Sequence, residues 1–159
     1  MKKVIMAFLA ASMLAGGAAA QSADKKAALS LNFGITYDNE SEGPLNLTVD
    51  ARAGFRLDRH LQVSPEVMYA FSGWREDRVL SPGVILNYVA GNAFFGGGLV
   101  VQFRFTPWGT FSDWAAKFNI GYAWRHVMLT AYYTGRFYTD EETDLFGYHQ
   151  IGVTVGYRF

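Results

Sequence analysis

The amino-acid sequence predicts an all-β fold: a closed, antiparallel, eight-stranded transmembrane β-barrel with up-and-down meander topology. Three observations lead there. Apolar and polar residues alternate with period two in eight successive segments, each about ten residues long, the length a tilted strand needs to cross a bilayer. No segment beyond the N-terminal leader approaches the roughly eighteen consecutive apolar residues of a spanning helix. The composition is rich in aromatic residues (16%) and glycine (17 residues) and contains no cysteine. A chain with this apolar surface and no spanning helix can satisfy its backbone in lipid only by closing a barrel.

The leader comes first. Lys2 and Lys3 precede an apolar run over residues 4–14, and Ala18 and Ala20 supply small residues before Gln21. This is the pattern of a secretory signal peptide over residues 1–20, too short and wrongly flanked for a membrane span. It leaves residues 21–159 as a single barrel domain, exported through the periplasm to a bacterial outer membrane. The formal net charge of +0 turns slightly negative once Lys2 and Lys3 are removed, which argues against a nucleic-acid partner. Without cysteine there is neither a disulfide framework nor a lipid-anchor thiol.

The strands follow in order. Over residues 27–37, Ala27, Leu29, Leu31, Phe33, Ile35 and Tyr37 alternate with Ala28, Ser30, Asn32, Gly34 and Thr36. Over 45–57, Leu45, Leu47, Val49 and Phe55 oppose Asn46, Thr48, Asp50, Arg52 and Arg56. Over 61–72, Leu61, Val63, Val67 and Tyr69 oppose Gln62, Ser64, Glu66 and Met68. The fourth run, 80–88, is the weakest: Leu80, Val84, Leu86 and Tyr88 oppose Ser81, Gly83, Ile85 and Asn87. The fifth, 95–105, sets Leu99, Val101, Phe103 and Phe105 against Gly96, Gly98, Gln102 and Arg104. The sixth, 114–124, sets Trp114, Phe118, Ile120, Tyr122 and Trp124 against Lys117, Asn119 and Gly121. The seventh, 127–137, sets Val127, Leu129 and Tyr133 against Thr130, Tyr132, Thr134 and Arg136. The last, 150–159, sets Ile151, Val153, Val155, Tyr157 and Phe159 against Gln150, Gly152, Thr154, Gly156 and Arg158.

Residue size decides which face is inside. An eight-stranded barrel has an interior just wide enough to be filled by side chains. The small polar residues fit there, and the large apolar residues suit lipid. A soluble barrel with its apolar face around a ligand would not need Tyr37, Trp114, Tyr122, Trp124 and Tyr157 near strand ends on the apolar face; at those heights they match the two aromatic girdles of a membrane barrel.

The connections alternate in length. Residues 58–60, 89–92 and 125–126 read as tight turns facing the periplasm. Residues 38–44, 73–78, 106–113 and 139–145 read as outer loops. These carry an acidic rim that includes Asp38, Glu40, Glu42, Asp77, Asp113, Asp140, Glu141, Glu142 and Asp144. Solvated loop tips account for such a rim. A sharper alternative is divalent cations bridging the carboxylates to lipopolysaccharide phosphates, but the spacing matches no closed metal site.

The signal peptide, the eight amphipathic strands and the closing Val153-Thr154-Val155-Gly156-Tyr157-Arg158-Phe159 resemble the small outer-membrane barrel proteins of the OmpX, OmpW and OmpA-barrel type. The resemblance implies that Tyr157 and Phe159 serve as the terminal signal read by the barrel-assembly machinery. It also implies contact with outer-membrane lipids and lipopolysaccharide, and a monomer. No peptidoglycan-binding module of the OmpA kind is expected, and the loops are shorter than in OmpX-like proteins.

Asp50, Arg52, Arg56, Glu66, Arg104, Lys117, Arg136 and Arg158 all fall on the inward face. Buried charges must be paired or hydrated, so these are expected to form a network filling the lumen. Asp50 and Glu66 lie near mid-height on neighbouring strands, within reach of Arg52 or Lys117. The functional alternative is a gated ion path, which eight strands leave little room for. No catalytic constellation, metal site or cofactor site stands out. Some eight-stranded barrels modify lipid A, but the lipid A deacylase pattern needs a His-x-Ser pair facing lipid, and His60 and His126 lie in periplasmic turns while His149 is followed by Gln150 and Ile151. The palmitoyltransferase pattern finds only Ser112-Asp113, in reverse order. The expected role is a non-enzymatic outer-membrane protein supporting membrane integrity and surface interaction. A narrow porin-like channel and a lipid A-modifying enzyme are the alternatives.

Overall fold

In the computed structural model, residues 27–39, 45–72, 77–137 and 149–159 are described. The expected signal peptide, and with it much of three outer loops including Glu40, Glu42 and Asp140 to Asp144, lies outside these residues. The alternating segments fold as β1 (Ala27–Asp38), β2 (Leu45–Arg56), β3 (Leu61–Phe71), β4 (Arg78–Ala90), β5 (Ala93–Thr106), β6 (Gly109–Trp124), β7 (Val127–Arg136) and β8 (His149–Arg158). Each strand pairs antiparallel with its sequence neighbours, and β8 closes on β1. The result is the predicted eight-stranded meander barrel, without a free sheet edge.

The register fixes how the barrel is wound. Moving sideways through paired residues leads from Ala27 to Phe55, Val63, Leu86, Gly97, Phe118, Tyr133 and Ile151, then back to β1 at Tyr37 rather than Ala27. One circuit therefore climbs almost the length of β1. Such a stagger forces the strands to lean strongly, within the roughly 35–45° usual for closed barrels. It also means that residues far apart in sequence face one another at one height across the lumen.

The period-two pattern is realised with the apolar face outward. Phe33, Ile35, Leu47, Leu86, Leu99, Phe118, Ile120, Leu129, Val153 and Val155 are all exposed, whereas Asn32, Thr48, Asp50, Ser64, Glu66, Gln102, Lys117 and Gln150 are buried. This inverts the arrangement of a soluble protein and suits a barrel whose solvent on the outside is hydrocarbon. The expected girdle residues Tyr37, Trp114, Tyr122, Trp124 and Tyr157 are also exposed on the outer surface. Tyr37 and Trp114 sit toward the long-loop end, Tyr122, Trp124 and Tyr157 toward the short-turn end.

Three local expectations are corrected. The fourth strand, read as short and weak, runs over Arg78–Ala90 and is paired along both sides; its neighbours supply the ladder that its own broken alternation does not advertise. Its turn narrows to Gly91 and Asn92, with Gly91 at φ 62, a conformation that glycine adopts without steric cost. The outer connection read as 106–113 shrinks to Pro107 and Trp108, because β5 and β6 continue pairing up to Thr106 and Gly109. Thr106 Oγ1 accepts a hydrogen bond from the Trp108 N–H at 3.2 Å and donates to the Gly109 carbonyl at 3.1 Å, closing the hairpin.

Candidate functional site

The lumen is where polar chemistry is concentrated. At its centre β2 supplies Asp50 and Arg52, β3 supplies Glu66, and β6 supplies Lys117 from the far wall. Strand alternation aims each of them inward. The Lys117 Nζ lies 2.5 Å from Glu66 Oε1. Arg52 Nη2 lies 3.0 Å from Glu66 Oε2 and 3.1 Å from Asp50 Oδ2. Asn32 on β1 donates to the same Asp50 oxygen at 3.2 Å. Two carboxylates thus meet two cations, and the cluster balances its own charge. The Lys117 stem is fully buried and crosses the barrel, with its ammonium 3.7 Å from the Met68 sulfur and 4.6 Å from the centre of the Tyr132 ring.

Tyr132 is the strut that closes the other side of this level. It stands on β7 directly opposite Gly152 of β8. A Cβ at Gly152 would come within 2.3 Å of Tyr132 Cζ, so the bare glycine is what allows the ring to lie flat over the neighbouring strand. From there the phenol hydroxyl hydrogen-bonds Thr36 on β1, and Thr36 hydrogen-bonds Thr48 on β2.

A second, uncoupled layer lies nearer the long-loop end. Arg136 on β7 bonds Asp113 Oδ2 at 2.9 Å and donates to Gln102 Oε1 at 3.2 Å. Gln102 on β5 donates across the lumen to Gln150 on β8 at 2.9 Å, and Gln150 donates to Asp38 Oδ2 at 3.2 Å. Asp38 and Asp113, expected at the acidic outer rim, are therefore turned into the barrel wall: Asp38 is buried and Asp113 is only half exposed.

The single network expected of the eight inward charges is divided in the structure. Asp50, Arg52, Glu66 and Lys117 are brought together. Arg136 belongs to the second layer. Arg104 sits at the long-loop end, where it pairs in the ladder with Val79 and Phe111. Arg56 and Arg158 lie at the opposite mouth. The reason is height: inward residues along a tilted strand stand at different levels, and only the register reveals which levels on different strands coincide. Sequence reading passed over Tyr132, Gln102, Gln150 and Asn32. Tyr132 carried the one available signal, a large aromatic on a face otherwise made of small polar residues.

The histidines pack at the strand ends. His60 and His126 each donate from Nδ1 to a backbone carbonyl, of Val89 at 3.2 Å and of Arg158 at 3.1 Å. Each stacks on an outward tyrosine, Tyr88 and Tyr157, with ring centres 5.4 Å apart. His149 lies against Tyr133 and Asn39.

No family model matches the chain, and no curated protein matches it. Solved structures do. The barrel superposes on the crystal structure of Neisserial surface protein A with a TM-score of 0.58 at 13% identity, covering 84% of this chain and 96% of that one. It superposes on the Yersinia pestis outer-membrane protein Ail in a phospholipid bilayer nanodisc with a TM-score of 0.56 at 11% identity, covering 83% and 99%. For the outer-membrane protein OprG from Pseudomonas aeruginosa the TM-score is 0.51 at 12% identity, covering 84% and 96%. The chain thus has the fold of the small eight-stranded outer-membrane barrels.

Proposed function

We propose that this protein is a non-enzymatic, integral outer-membrane β-barrel that is closed to solutes and supports membrane integrity and surface interaction. The observation that carries this reading is the cross-lumen cluster of Lys117, Glu66, Arg52 and Asp50, which fills the barrel at mid-height beneath a lipid-facing exterior. A plug that is neutral overall and held together by direct ion pairs gives ions no favourable site to enter and no open cross-section to pass. The short-turn end is assigned to the periplasm and the long-loop end to the cell surface. Export by a signal peptide over residues 1–20, recognition of Tyr157 and Phe159 by the barrel-assembly machinery, a monomeric state, and contact with lipopolysaccharide through the outer loops complete the reading.

Planar-bilayer recording of the folded barrel tests it. The expected result is no stepwise conductance under applied voltage. Reproducible unitary steps that change in size with Lys117→Met would overturn the closed reading in favour of the narrow porin-like channel. Mass spectrometry of lipid A from cells with and without the protein tests the non-enzymatic part, with identical spectra expected.

A further inference from the structure

Below the central cluster the lumen opens into a cavity of about 500 Å³ at the short-turn mouth, with walls contributed by all eight strands. Its volume lies within the range of about 300–1,000 Å³ typical of small-ligand sites. Its lining holds Arg52, Arg56, Arg125 and Arg158, and no aspartate or glutamate. Asp50 and Glu66 are committed to Arg52 and Lys117 above, and Asp58, in the β2–β3 turn at this end, accepts the backbone N–H groups of His60 and Leu61. Among the described residues Arg56, Arg125 and Arg158 make no salt bridge, so their guanidinium groups are available to an anion. The small residues Ala28, Gly54 and Ala123 in the lining leave room. Gln62 and Asn87 add neutral hydrogen-bonding groups on the facing strands.

A second observation points to a ligand. Arg52 forms the ceiling of this cavity and is only 4% exposed, yet its Nε has no hydrogen-bond partner among the described residues. A buried guanidinium N–H without an acceptor is costly. Its Nη2 is held by both carboxylates, and the same side chain lines the inner end of the cavity. Guanidinium groups present fixed forks of donors suited to tetrahedral oxyanions.

We propose that the short-turn vestibule is a binding site for a small phosphate-bearing anion, gripped by Arg56, Arg125 and Arg158, with the Arg52 guanidinium lining its inner end. The vestibule is blind, since the central cluster closes it, so the ligand enters and leaves by the same mouth and is held rather than conducted. The cavity opens along the barrel axis, away from the lipid-facing wall, which favours a free phosphate compound over a lipid headgroup. Apart from the assignment of that mouth to the periplasm, the site does not depend on the function proposed above.

The test is isothermal titration calorimetry of the folded full-length mature barrel in zwitterionic detergent, with inorganic pyrophosphate as the probe. Saturable binding with one site per barrel is expected, weakening as salt is raised. Arg56→Gln, Arg158→Gln and Arg125→Gln should each weaken it about tenfold, the loss of one charge-assisted hydrogen bond. Arg56 and Arg125 are exposed, so these two variants keep the test decisive if Arg158→Gln, on the closing strand, impairs folding. Arg78→Gln removes the same charge from the outer surface at the opposite end of the barrel and should leave binding unchanged. Competition by short-chain phosphatidylglycerol would assign the phosphate to a lipid headgroup, and its absence to a free compound. No saturable heat at millimolar pyrophosphate, or equal binding by the wild type and the Arg56→Gln and Arg125→Gln variants, would overturn the site.

Discussion

Replacing Lys117 with methionine removes an ammonium that lies 2.5 Å from Glu66 Oε1 while keeping most of the stem that spans the lumen. Lys117 is 1% exposed and the Glu66 side chain 0%, so water has no route to replace the lost partner. The central cluster, balanced at two carboxylates and two cations, acquires a net negative charge. Removing one partner of a buried pair costs about 3–5 kcal/mol. Arg52 remains 3.0 Å from Glu66 Oε2 and retains part of the attraction. The loss should therefore fall at the lower end, about 3 kcal/mol, or roughly a hundredfold in the unfolding equilibrium. Combining Lys117→Met with Glu66→Gln leaves Arg52 facing Asp50 alone, again balanced, and should restore stability to within about 1 kcal/mol of the wild type. Reversible urea unfolding in phosphocholine vesicles, followed by tryptophan fluorescence, measures both. A Lys117→Met barrel as stable as the wild type, or a double variant no better than the single one, would refute the view that this cluster is a mutually compensated plug.

Two further outcomes are expected. Tyr132→Phe removes the hydroxyl that bonds Thr36 but keeps the ring over Gly152 and Lys117, and should cost about 1–2 kcal/mol in the same unfolding assay; Gly152→Ala displaces the ring itself and should cost more, so the reverse order would argue against the strut. In the β2–β3 turn, Asp58 accepts backbone N–H groups from His60 at 2.6 Å and Leu61 at 2.7 Å, and these bonds hold its carboxyl below the usual aspartate range. Because the folded value is depressed, the turn's contribution is present above the ordinary aspartate value and is lost as pH falls through the lowered one. A carbon-13 NMR titration should give the Asp58 carboxyl a midpoint below that of an exposed aspartate, and Asp58→Asn should abolish this acid-linked change in the turn.

The sequence by itself determined the secondary structure, the closed topology and the sign of each face. Period two leaves only two ways to face a strand, and an interior as narrow as that of eight strands admits only the small-residue face. This is why Phe33 and Ile120 could be placed outside, and Asp50 and Lys117 inside, without any contact being known. Strand ends were less legible: residues 109–113 lack clean alternation, yet the β5–β6 ladder carries pairing through them up to Thr106 and Gly109, since a hairpin gains from each added pair whatever its side chains advertise. The heights of the inward residues were decided only by the tertiary structure. Register and tilt are properties of the closed circuit as a whole, and one circuit displaces Ala27 to the level of Tyr37. That displacement is what sets Lys117 against Glu66, separates Arg136 into its own layer, and leaves Arg56 and Arg158 at the mouth without a salt bridge among the described residues.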